Sequence, residues 1–244
     1  MNILNKKPII NKFNYPYKIW TIDNFLKKEV INKIKDDFPS NDDKKWHRGH
    51  RMIDGKENIL EQGMMSISDF NLIPTYSKNI FEYFYSDKFI QIMEDMTGLK
   101  NLTHDNQQWS GLRIMKKNAF QLIHSDARQH PENKLRKEVT CLLYLHKENY
   151  VKEKDEGCLE VWDDNMTNKI HEIEPLNNRL LIFLNSDTSY HGVPKVLTER
   201  KALIFNYCKK NTHLEDSRSK ALFKKRPEDS QYIEDLGLSR SKIK

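Results

Sequence analysis

Three cysteines in 244 residues, none of them in a CxxC pair, argue against a disulfide framework. Cys141, Cys158 and Cys208 each sit in an apolar, strand-like run and read as buried free thiols of a reducing compartment. Long apolar runs are missing too: no stretch approaches the roughly 20 residues of a membrane span. The opening MNILNKKPIINKF lacks the apolar core and small-residue cleavage site of a signal peptide. These absences predict a cytoplasmic protein with no membrane partner. Hydrophobic residues are scarce at 37%, but they cluster, which favours one core inside a highly charged surface over disorder. With no internal repeat and no domain-scale linker, residues 1–244 are expected to form a single domain. The net charge of +6 is spread along the chain with acidic residues interleaved. A nucleic-acid partner is therefore disfavoured, and nothing in the pattern fixes an oligomeric state.

What is present divides near Gly111. Residues 15 to about 100 form a mainly helical lead-in. YKIWTI reads as a short strand, after which Asp23 or Asn24 can cap a helix carrying Phe25, Leu26, Val30, Ile31, Ile34 and Phe38 on one stripe. Two more helices are predicted over 75–85 and 87–97, the second stopped by Gly98. Residues 42–63 are polar, basic and weakly periodic, and read as a long loop of the kind that is mobile or functional. From 110 to 208 the runs GLRIM, FQLI, EVTCLLYLH, CLEVWD, RLLIFL and RKALIFNYC are short and rich in β-branched, aromatic and leucine residues. No helical segment separates them, so antiparallel pairing is favoured. The prediction is a mainly β fold with α: a jelly roll (double-stranded β-helix, cupin-like) behind an N-terminal helical layer. Residues 211–244 read as a polar, partly helical or frayed tail.

Four His-x-acid pairs occur: His124/Asp126, His130/Glu132, His146/Glu148 and His213/Glu215. On an extended strand such a pair offers an imidazole and a carboxylate to one face. Non-haem Fe(II) oxygenases need a second histidine from elsewhere, and those using 2-oxoglutarate also need a cation for its distal carboxylate. Among downstream histidines only His191 is followed nine and ten residues later by basic residues, Arg200 and Lys201. Arg200 opens a strand whose same face carries Ala202, Ile204 and Asn206. Its planar fork suits a carboxylate.

HSD, VTCLLYLH, EGCLEVWDD, IEPLNNRLLIFLNSDTSYHGVPKV and ERKALIFNYC, in that order over residues 110–208, resemble the 2-oxoglutarate/Fe(II)-dependent oxygenases. The similarity is to their prolyl 4-hydroxylase-like branch of bacterial and viral type. The resemblance implies His124, Asp126 and His191 as iron ligands, with Arg200 and Tyr144 on 2-oxoglutarate. It implies O2 as co-substrate, ascorbate as a stimulant, and hydroxylation of a C–H bond with release of succinate and CO2. Peptidyl proline is the substrate that follows most directly. A small molecule such as a free amino acid, sugar or lipid precursor is the alternative, and a non-catalytic jelly-roll binding module is the third reading. The intact Asp126 favours hydroxylation over halogenation. Asn206 stands where the nucleic-acid demethylase branch carries a second arginine, against that branch. Glu156-Gly157 replaces a frequent Gly-Gly at a turn. Arg128 and Arg136, flanking the loop after Asp126, are candidates for substrate contact, and 127–137 is expected to be mobile until substrate binds. His47, His50, His104, His130 and His171 are expected in loops or at the surface, and Trp109 and Trp162 in the core.

Overall fold

A computed structural model describes residues 3–48, 61–130, 132–210, 221–224 and 226. The lead-in comprises β1 (Ile9–Phe13), β2 (Ile19–Asp23), α1 (Lys28–Asp37), β3 (His47–Arg48), β4 (Glu61–Ile67), α2 (Thr75–Phe84), α3 (Asp87–Thr97) and β5 (Thr103–His104). Then follow β6 (Gly111–Ser125), β7 (Leu135–Tyr144), the single turn α4 (Lys152–Asp155), β8 (Leu159–Trp162), β9 (Lys169–Ile173), β10 (Leu180–Leu184), β11 (His191–Val193), β12 (Arg200–Lys210) and β13 (Leu222–Lys224). The strands form one curled sheet in the order β1-β2-β10-β7-β12-β6-β11-β8-β9; β4 and β13 join β6, and β5 joins β12. The ladders of this path, such as β10 on β7 and β12 on β7, run antiparallel, as the missing crossover helices require. No described helix is long and apolar enough to cross a membrane.

Period-two alternation divides the central strands between two cores. On β7, Cys141 and Leu143 pack toward the helices while Leu142 and Tyr144 face the barrel interior; on β12, Leu203, Phe205 and Tyr207 go to the helices and Ala202 inward. The helical layer supplies Phe81, Phe84 and Phe89, with the Phe84 ring stacked on Phe205 at 4.3 Å. Ser86 caps α3, its hydroxyl accepting from the Phe89 N–H, and Gly98 ends the helix at φ 77°, a conformation glycine adopts without a Cβ penalty.

Several expectations change. The first helix begins at Lys28, not after Asp23: Asn24 takes φ 53°, and Asp23 instead binds Arg179 through both carboxylate oxygens. GLRIM and FQLI join into the single strand β6 across Asn118, at φ 72°. Part of 42–63 is sheet, with His47–Arg48 pairing β4 and β4 pairing β6; residues 49–60, and with them His50, lie outside the described set. Residues 127–130 and 135–137 are tied by two backbone bonds, His130 N–H to Leu135 O and Lys137 N–H to Arg128 O. His130 and Lys137 are buried. Of the tail, Leu222–Lys224 forms a strand and Arg226 is buried. The three cysteines are buried free thiols.

Candidate metal and 2-oxoglutarate site

A cavity of about 860 Å3 is lined by His124, Asp126, His191 and Arg200 together with Trp109, Gln108, Ser66 and Ser68. His124 is the penultimate residue of β6 and His191 opens β11, and the two are register partners. Asp126 follows the end of β6. The three place one ligand atom each within 4.8 Å of one another. His124 Nε2 lies 3.5 Å and His191 Nε2 4.0 Å from Asp126 Oδ1. Both histidines donate from Nδ1 to a backbone carbonyl, Leu122 O and Ser189 O, each at 2.9 Å. That bond fixes the tautomer and leaves the Nε2 lone pair for a metal.

Electrostatics support the same assignment of protons. Burial, with the neighbouring His124 adding to it, pushes His191 down to about 4, so the ring is neutral at pH 7. Burial opposes ionisation of Asp126, but Lys137, then His124 and His191, outweigh it and hold the carboxyl well below its usual range. One pH prediction follows for the metal-free protein. Unfolding returns His191 to its ordinary value of 6.5, so between pH 6.5 and 4 the unfolded chain binds the extra proton. Stability is present above 6.5 and is lost as pH falls through that window. Denaturant midpoints measured from pH 7 to 4 should decline, and His191→Asn should remove that part of the slope.

The second half of the site is a buried cation. Arg200 is 5% exposed, and its Nη2 donates to the Tyr144 hydroxyl at 3.0 Å. Its guanidinium also lies over the Tyr144 ring, 4.8 Å from the centroid. Arg200 Nε is buried with no acceptor, and no described carboxylate pairs with this arginine. Burial raises the Tyr144 pKa against the opposing pull of Arg200, so the phenol keeps its proton. Lys201 leaves on the opposite face, on Glu199 at 2.6 Å and over the Phe38 ring.

Residues 110–208 match the sequence profile of the 2OG-Fe(II) oxygenase superfamily. This core belongs to that superfamily. A search of the curated proteins finds no match. Solved structures share the fold at low identity. A Pseudomonas putida prolyl-4-hydroxylase superposes with a TM-score of 0.57 at 15% identity, covering 79% of this chain and 93% of that one. A Trichoplax adhaerens prolyl hydroxylase, solved with a hypoxia inducible factor peptide fragment, gives 0.54 at 18%, covering 78% and 82%. HygX from Streptomyces hygroscopicus, with nickel, 2-oxoglutarate and hygromycin B bound, gives 0.52 at 10%, covering 80% and 83%.

The oxygenase core therefore uses Fe(II) and 2-oxoglutarate as a dioxygenase does, and its residues fit both. Two imidazoles and one carboxylate are the facial donor set of such iron sites, and Arg200 Nε is a buried donor awaiting an acceptor. Other residues fall differently from expectation. Arg128 and Arg136 lie outside the cavity lining and both reach Glu138. His130 lies in a loop, as expected, but is buried there: it is 3% exposed, and its Nδ1 accepts from the N–H groups of Glu132 and Asn133. Trp109 lines the cavity instead of the core, while Trp162 is buried.

Lys137 carried no sequence signal. Its Nζ lies 2.8 Å from Asp126 Oδ2 and 4.8 Å from the Trp109 ring centroid. Simple alternation from Thr140 and Leu142 would turn it to the other face. The ladder instead passes from Tyr207↔Val139 to Cys208↔Lys137, skipping Glu138. That bulge returns Lys137 to the cavity side.

Proposed function

We propose that this protein is a 2-oxoglutarate- and Fe(II)-dependent hydroxylase of peptidyl proline, with His124, Asp126 and His191 holding the iron and Arg200 and Tyr144 holding 2-oxoglutarate. The observation that carries it is the pairing of two histidines whose Nε2 atoms converge on Asp126 Oδ1 with a buried arginine that has no anionic partner among the described residues. The helical layer and the jelly roll share one hydrophobic cluster, which supports reading them as one domain.

When bound, iron would activate O2 so that one oxygen atom oxidises 2-oxoglutarate to succinate and CO2 and the other converts the C–H bond into an alcohol. The chain's own residues prepare for this. The backbone bonds of both Nδ1 atoms keep the imidazoles from turning. Lys137 takes Oδ2 of Asp126, so Oδ1 is the oxygen facing the histidines. Arg200 offers a fork to a carboxylate while Tyr144, still protonated, adds a hydroxyl donor. Leu142, Leu159 and Phe183 are apolar parts of the cavity lining, and an apolar lining strengthens charged contacts.

For the substrate, the cavity lining also includes Gln108, Gln129, Ser66, Ser68 and Trp109. Amide and hydroxyl groups beside an aromatic wall suit peptide main chain and a pyrrolidine ring. The peptide fragment of the Trichoplax protein supports this reading; the hygromycin B of HygX favours the small-molecule alternative. Succinate release with proline-containing peptides, against a panel of free amino acids and sugars, tests it. The expected result is peptide-dependent succinate with one oxygen added to a prolyl residue by mass spectrometry. Turnover confined to a free small molecule would overturn the peptide assignment and leave the oxygenase chemistry standing.

A further inference from the structure

The site has a component outside the matched residues 110–208. Strand β13 pairs with β6 through Leu222↔Ser125, Phe223↔His124 and Lys224↔Ile123. Because β11 also pairs with His124, the two strands flank that residue on opposite edges of β6. The Phe223 ring lies 5.0 Å from the His124 imidazole with the planes 18° from parallel. The His191 ring stands 4.3 Å away. A histidine ring otherwise turns in a broad χ2 well; here a hydrogen bond and two aromatic contacts hold it.

The strand is anchored by a niche that the jelly roll keeps for it. Arg226 is 2% exposed; its Nε donates to Glu160 Oε2 at 2.6 Å and its Nη2 to the Gln121 carbonyl at 2.9 Å. Glu160, on β8, is itself 1% exposed. Gly192, the neighbour of His191, leaves the space this guanidinium occupies: a Cβ there would stand 2.7 Å from Arg226 Nη2. Stripping one partner from a buried ion pair is strongly destabilising. A buried carboxylate, which Lys169 also reaches at 3.4 Å, and a glycine whose Cβ would crowd the Arg226 guanidinium build residues 221–224 and 226 into the barrel wall.

We propose that this C-terminal strand is a component of the metal centre, with Phe223 as a positioning residue for His124 and Arg226 as the strand's anchor. The proposal rests on His124 being an iron ligand. By fixing the ring and covering its face, the strand slows metal release. The test loads Co(II) as a spectroscopic probe onto the wild type, Phe223→Ala, Phe223→Tyr and Arg226→Met, then follows its loss to excess chelator. Phe223→Ala and Arg226→Met should release the metal roughly 10-fold faster or more, the scale of losing support around a ligand. Phe223→Tyr, which keeps the ring, should stay within about twofold of wild type on that same scale. Because coupling is reciprocal, Co(II) should also slow hydrogen exchange at Leu222–Lys224 in the unaltered protein, a measurement that needs no variant to fold. Wild-type release rates in both variants, or exchange at β13 indifferent to Co(II), would overturn the proposal. Failure of the wild type to bind Co(II) at all would instead sink the ligand assignment on which it stands.

Discussion

Alanine at His124, Asp126 or His191 should reduce Fe(II)-supported 2-oxoglutarate decarboxylation to background while leaving the protein folded. Each residue supplies one of three donors, and two remaining donors do not hold the ion on one face. The fold should survive because the surrounding barrel is closed by apolar residues such as Leu142, Leu159 and Phe183, and the histidines' Nδ1 partners are backbone carbonyls at the mouth. His130→Ala and His146→Ala are the controls. Both residues are buried members of other His-x-acid pairs, so stability should drop while turnover persists. Circular dichroism with succinate assays on all five variants decides it. Turnover at the wild-type level in any of the three would remove that residue from the metal site.

Arg200→Ala should raise the apparent dissociation constant for 2-oxoglutarate by roughly 30-fold to several-thousand-fold, the equivalent of about 2–5 kcal/mol for a buried, hydrogen-bonded charge pair. Lys201→Ala should change it little. The contrast follows from strand parity: Arg200 shares the cavity side with Ile204 and Asn206, whereas Lys201 sits on Glu199 outside. Asn206 is already engaged, accepting from the Thr140 hydroxyl and donating to Asp105 Oδ2, so the guanidinium is the group with donors to spare. Titrating 2-oxoglutarate against both variants at equal iron and ionic strength separates them. A crippled Lys201→Ala beside a near-normal Arg200→Ala would place the carboxylate on the other face.

Much of this arrangement was legible because the central strands obey simple alternation. Thr140, Leu142 and Tyr144 on β7, and Arg200, Ala202 and Ile204 on β12, could be placed on one face before any coordinates, and they share the barrel interior. His191 stood out by its spacing to Arg200. What escaped was set by long-range contacts. Lys137 reaches Asp126 only because a bulge at Glu138 shifts the register. Residues 61–67 lack the β-branched signature of a strand and become one by lying along β6. ALF at 221–223 is a short apolar island in a polar tail, and nothing local marks Phe223 as the cover of His124. The first helix starts late because Asp23, a reasonable cap by type, is claimed by Arg179.

The most direct test of the iron and 2-oxoglutarate assignment is an anaerobic crystal structure of the protein soaked with Fe(II) and 2-oxoglutarate. The expected density is one ion bonded at about 2.0–2.2 Å to His124 Nε2, Asp126 Oδ1 and His191 Nε2, with the distal carboxylate of 2-oxoglutarate on the Arg200 fork and the Tyr144 hydroxyl. An ion held by other residues, or a 2-oxoglutarate carboxylate away from Arg200 with the three ligand positions empty, would contradict it.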